Sequence, residues 1–91
     1  MSIKIKIPEH LQDKTGGEPI VEVTGNTLRE CLKGLFHRCP GLKGEIVDAE
    51  GMLLVKWLIF VNDKLADASD ALSVPVIDGD VILLVPMVAG G

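Results

Sequence analysis

The chain has no tyrosine, and Phe36, Trp57 and Phe60 are all its aromatics. A core must therefore be built from Ile, Val and Leu. Cysteine is also scarce: Cys31 and Cys39 fall short of the four thiolates that an iron–sulfur cluster takes. Lysine and arginine total nine against 13 acidic residues, for a net charge of −4, and no basic cluster exceeds the spaced pair Lys4 and Lys6. Nucleic acid is excluded on that ground, because a basic footprint supplies most of such affinity. No apolar run approaches the roughly 20 residues of a membrane span. The opening Met-Ser-Ile-Lys holds no apolar signal region, so the expected location is cytoplasmic.

What is present fits one domain. Ninety-one residues leave no room for a second core, yet suffice for one without a metal or disulfide staple. Residues 3–7 alternate Ile-Lys-Ile-Lys-Ile and close at Pro8, the signature of a strand with one apolar face. A polar stretch carrying the turn signal Thr15-Gly16-Gly17 leads to a second strand over Ile20 to Val23. Leu28, Cys31, Leu32, Leu35, Phe36 and Cys39 then recur at helical spacing on one stripe. Thr27 and Glu30 form a capping box at the start, each bonding the other's amide, and Pro40-Gly41 stops the helix. Gly34 inside it costs about 1 kcal/mol relative to Ala, and suggests a close approach of the helix to the sheet.

Within that helix the two cysteines lie about 12 Å apart along the axis, nearly twice the reach of a disulfide. They share the apolar face, which predicts free thiols in the core. His37 points elsewhere, so no metal site is expected among the three. His10 and His37 read as surface residues.

Residues 41–54 break every regular pattern and predict a loop with a short helical piece. Residues 55–61, Val-Lys-Trp-Leu-Ile-Phe-Val, predict a strand apolar on both faces. Asn62-Asp63 is a turn into a short strand at Lys64-Leu65. A turn-rich link runs to Ser73. Asp78-Gly79-Asp80 reads as a further turn rather than a cation site, and Val81 to Val85, closed by Pro86, is the last strand. Strand, strand, helix, strand, short strand, strand predicts an α+β fold of the β-grasp kind: a mixed sheet of four to five strands with one main helix on one face. The expected body is residues 1–86, followed by a flexible tail over 87–91.

Trp57, Ile59 and Val61 share one face of their strand, Leu58 and Phe60 the other. One set must lie under the helix. The other is either an exposed docking patch or is covered by the 41–54 loop. Pro86 ends the strand and gives a means of aiming the tail.

That tail reads Met87-Val88-Ala89-Gly90-Gly91. Two final glycines arise by chance in about 0.5% of chains, so the pair alone does not decide a function. Its chemistry is more telling. A terminal carboxylate becomes an electrophile only after activation, and a tail without Cβ atoms threads a narrow channel where bulk would block. No Ser-His-Asp set, paired carboxylates or phosphate loop accompanies it, so no catalytic residue is expected.

Asp78-Gly79-Asp80, Val-Ile-Leu-Leu-Val-Pro and the closing Met-Val-Ala-Gly-Gly resemble the terminal block of the MoaD and ThiS sulfur carriers, and Val61-Asn62-Asp63 resembles their Val-Asn-Gly/Asp turn. The likeness runs over essentially the whole chain. Ile7-Pro8, Leu11, Thr15-Gly16-Gly17 and Val88-Ala89-Gly90-Gly91 look most like the carrier for protein-bound cysteine synthesis. The resemblance implies that Gly91, with Gly90, is adenylated by an E1-like adenylyltransferase and becomes a thiocarboxylate. A sulfur-acceptor enzyme then takes the sulfur. It further implies that ATP belongs to the activating partner, that the carrier binds no cofactor, and that Pro86, Met87, Val88, Ala89, Leu58 and Phe60 meet partners. A small subunit of molybdopterin synthase and a lysine-linked protein modifier are the alternatives.

Overall fold

Strand β1 (Ile3–Lys6) buries Ile3 and Ile5 and exposes Lys4 and Lys6, as its alternation requires. The computed structural model describes residues 2–54, 56–66 and 71–86. Strand β2 (Ile20–Val23) runs antiparallel to β1, with Ile3 opposite Val23 and Lys6 opposite Ile20. The long connection between them is not a plain loop. Glu9–Thr15 forms a 3-10 helix, ended by Gly16 at φ 71° and by the Gly17 N–H donating to the Gln12 carbonyl at 2.8 Å. Its one buried residue, Leu11, pins it to the core, and a single apolar side chain gives no periodicity to read.

Helix α1 (Leu28–Arg38) buries Leu28, Cys31, Leu32 and Leu35. Each such leucine contributes about 1.5–3 kcal/mol, which outweighs the cost of Gly34. The Thr27 hydroxyl accepts from the Glu30 N–H at 3.2 Å, as expected. The return bond differs: Glu30 Oε1 accepts from the Asn26 N–H at 2.7 Å rather than from Thr27. The helix also ends one residue early. Cys39 is its C-cap at φ −133°, and Pro40–Leu42 turns into the single-turn helix α2 (Lys43–Ile46). Gly34 does not mark a close approach, since a Cβ there would sit 3.7 Å from Val23, an ordinary contact. The demanding glycine is Gly25, where a Cβ would lie 2.9 Å from the Glu30 Cβ and 3.0 Å from the Cys31 amide nitrogen.

Strands β3 (Trp57–Val61), β4 (Lys64–Leu65) and β5 (Val81–Pro86) complete one mixed sheet in the order β2-β1-β5-β3-β4. Only β1 and β5, its centre, run parallel. The helical elements lie on one face, over a core that includes Ile5, Leu35, Leu42, Ile46 and Ile82, all 0% exposed. This is the β-grasp arrangement.

Candidate functional site

The middle strand β5 carries the chain toward its terminal glycines, and its start is locked by side chains. Asn62 and Asp63 adopt left-handed φ angles of 51° and 70°, the geometry of a tight hairpin turn. From that turn the Asn62 side chain donates to Asp80 Oδ1 at 2.7 Å, and Asn62 Oδ1 accepts from the Val81 N–H at 2.9 Å. Asp80 Oδ2 accepts from the Ile77 N–H at 2.9 Å. Asp78 accepts from the Ser2 N–H, and Gly79 between them has φ 93°. Both carboxylates of the Asp-Gly-Asp motif therefore serve a turn. Among the described residues, no three His, Cys, Asp or Glu side chains are grouped to hold a metal.

Strand β5 ends at Pro86, opposite Trp57 of β3. On its other side, pairing with β1 stops at Leu83, so the missing N–H of proline falls where that ladder has already ended. Met87, Val88, Ala89, Gly90 and Gly91, which carry the sequence-based site, lie outside the described residues.

Leu58 and Phe60 are both half-buried on the sheet face that α1 leaves free, while Trp57 and Ile59 point into the core. Register assembles a larger surface around them. Ile20, Lys6, Leu83, Phe60 and Leu65 form one row across all five strands, and Val85 lies opposite Leu58. Leu65 is 58% exposed and Ile20 41%, so this apolar face meets solvent. The 41–54 segment does not cover it. Leu42, Ile46 and Val47 bury on the helix side, where the Trp57 indole N–H donates to the Glu45 carbonyl at 2.7 Å. His10 is exposed, as expected, and its ring stacks on Trp57 with centroids 6.3 Å apart.

Sequence reasoning named Leu58 and Phe60 but missed Ile20, Leu65, Leu83 and Val85. Alternation marked each as facing away from a buried neighbour; only the pairing shows that they share one patch. Both cysteines are free; Cys31 is buried and Cys39 half-buried. Burial first, then the negative charges of Glu30 and Asp80, push the Cys31 thiol up to about 11, which suits a core residue and not a nucleophile.

The ThiS family model matches residues 5–91, including the turn, strand β5 and the terminal glycines. The chain belongs to the ThiS family. It is 32% identical over 93 residues to the sulfur carrier protein CysO of Mycobacterium tuberculosis, covering all of both chains. It superposes on a chain of the Amycolatopsis orientalis BexX/CysO complex with a TM-score of 0.88 and 36% identity, covering 98% of this chain and 99% of that one. It also matches a chain in the complex of subunits 1 and 2 of the molybdopterin-converting factor from Helicobacter pylori, with TM-score 0.63, 30% identity and full coverage of both. No helix among the described residues is long and apolar enough to cross a membrane.

Proposed function

We propose that this ThiS-family chain is a sulfur carrier, a substrate of other enzymes rather than an enzyme, serving the synthesis of cysteine or a related sulfur compound. The observation that carries the reading is the end-to-end likeness to the carrier CysO, together with a family match that runs through Gly91. The Gly91 carboxylate attacks the α-phosphate of ATP on an E1-like adenylyltransferase, releasing pyrophosphate and leaving an acyl-adenylate. A sulfur donor displaces AMP to give the thiocarboxylate, which passes its sulfur to an acceptor enzyme. The chain binds no cofactor of its own, and ATP belongs to the activating partner. The cycle is expected in the cytoplasm, where ATP is available to that partner.

The body is residues 1–86 and the working tail residues 87–91. Gly90 and Gly91 leave no Cβ to obstruct a partner's narrow channel, and Met87, Val88 and Ala89 meet the partner ahead of them. Pro86 sets the point of departure. Leu58 and Phe60, with Leu83 and Leu65 beside them, dock the body so that the tail reaches the partner's reacting centre. A second reading, the small subunit of a molybdopterin synthase, is favoured by the likeness to the Helicobacter pylori complex. It predicts a stable hetero-oligomer in place of a transient encounter.

The test is ATP–pyrophosphate exchange with the activating enzyme of the same host. Deleting Gly91 is expected to abolish exchange with no change in urea midpoint, because terminal residues carry few contacts. Exchange that survives the deletion contradicts the reading. Co-purification with a partner at fixed stoichiometry selects the second one.

A further inference from the structure

On the side of the molecule opposite the open sheet face, α1 and the 43–51 segment border a groove of about 510 Å³. Its floor is apolar: Leu32, Val47 and Leu72 are 2%, 5% and 7% exposed, and Phe36 is half-buried against them. Its rim is basic. Arg29, Lys33 and His37 follow one another at four-residue spacing, which places them in one line along α1. Lys43 faces them from α2, and Glu50 is the single carboxylate on the lining. A chain of net charge −4 thus gathers three of its nine Lys and Arg residues around one apolar trough.

The core does not require this arrangement. Arg29, Lys33 and Lys43 are exposed, and among the described residues the one ion pair, Lys14 with Glu45 at 3.9 Å, involves none of them. We infer that the groove is a second docking site, which takes an acidic segment of a partner protein bearing apolar side chains between its carboxylates. Charge complementarity selects the acidic occupant, and the half-buried Phe36 over the apolar floor selects apolar anchors. The line from Arg29 to His37 spans about 12 Å of helix, more than one phosphate or carboxylate can bridge, so a small anion does not satisfy the rim. Three cations on a chain of net negative charge are too few for nucleic acid. Because the groove and the open sheet face lie on opposite sides of the sheet, one protein can hold the chain while another engages that face. This goes beyond the carrier reading and does not depend on it.

The experiment is an amide chemical-shift titration of the full chain with the end-blocked peptide Glu-Asp-Leu-Glu-Phe-Leu-Asp-Glu. The comparison peptide has Ser in place of Leu and Phe. Shifts are expected at Lys33, Val47 and Gly51, absent with the Ser peptide, and weakened about tenfold or more by Lys33→Glu or Arg29→Glu at an unchanged urea midpoint. The chain lacking Gly91 is expected to bind equally, so failure of the carrier reading leaves this result standing. No shifts at millimolar peptide overturn the inference. Equal binding of the Ser peptide reduces it to charge alone, and shifts centred on Phe60 and Leu83 move the site to the sheet face; either overturns it. Inorganic phosphate producing the same shifts and competing with the peptide would assign the groove to a small anion.

Discussion

Asn62 and Asp80, 18 residues apart, hold the hairpin turn and the start of β5 together through one side-chain hydrogen bond of 2.7 Å. The same asparagine accepts from the Val81 N–H and donates its own N–H to the Val81 carbonyl, both at 2.9 Å. It does this at φ 51°, where asparagine is tolerated and alanine strained. Asn62→Ala is expected to cost about 1–3 kcal/mol, and Asn62→Gly less, since glycine relieves the backbone but not the lost bonds. Urea denaturation of the pair checks this. Alanine proving the milder change would show that the turn is not held as described.

Two glycines should respond in opposite directions. Gly34→Ala meets only ordinary contacts in the interior of α1, so it is expected to stabilise by up to about 1 kcal/mol. Gly25→Ala forces a Cβ to within 2.9 Å of Glu30 and should destabilise by about 1–3 kcal/mol. Thermal melts of the two variants suffice.

The thiols should differ in reactivity. Cys31 is 0% exposed with its thiol pushed up to about 11, whereas Cys39 is half-buried at the helix end. Iodoacetamide at pH 8 is expected to label Cys39 in the folded protein, and both thiols only in urea. Stability carries the matching sign. Between the ordinary thiol value near 9.0 and about 11, the unfolded chain gives up a proton that the folded chain keeps, so stability falls as pH rises through that window. Replacing Cys31 by Ala removes that part of the alkaline loss. An unchanged alkaline slope would contradict the assignment.

The open sheet face should matter to partners and little to the fold. Phe60→Asp places a carboxylate in the middle of the row formed by Lys6, Leu83 and Leu65. It is expected to raise the KM for the carrier in the activation assay by about ten- to thirtyfold with kcat kept, as for loss of a central docking contact. A fall in kcat with KM unchanged would place Phe60 outside the docking surface.

Much of this was legible in the sequence, and the exceptions have physical reasons. Strand β1, helix α1 and the turn at Asn62-Asp63 each announce themselves through a period or a capping residue. The 3-10 helix over Glu9–Thr15 does not, because Leu11 alone ties it to the core. The 48–52 turn depends on Asp48 Oδ1 accepting from the amides of Glu50 and Met52 at 2.9 and 3.0 Å, two local bonds that leave no periodicity to read. At the site, Leu58 and Phe60 could be named from alternation. Their neighbours Leu83 and Leu65 could not, because the patch exists only once the strand register is known. The basic line Arg29, Lys33 and His37 was readable at four-residue spacing, but its apolar trough is completed by Val47 and Leu72, which sequence distance hides.

Whether Gly91 carries sulfur is read from the intact mass of the chain. The purified chain is incubated with ATP, a sulfide source and the activating enzyme of its host, then weighed whole and after proteolysis. A gain equal to exchanging one oxygen for one sulfur is expected, confined to the terminal peptide and absent without ATP. An unchanged mass, with no adenylate trapped at Gly91 when the sulfur source is withheld, would contradict it.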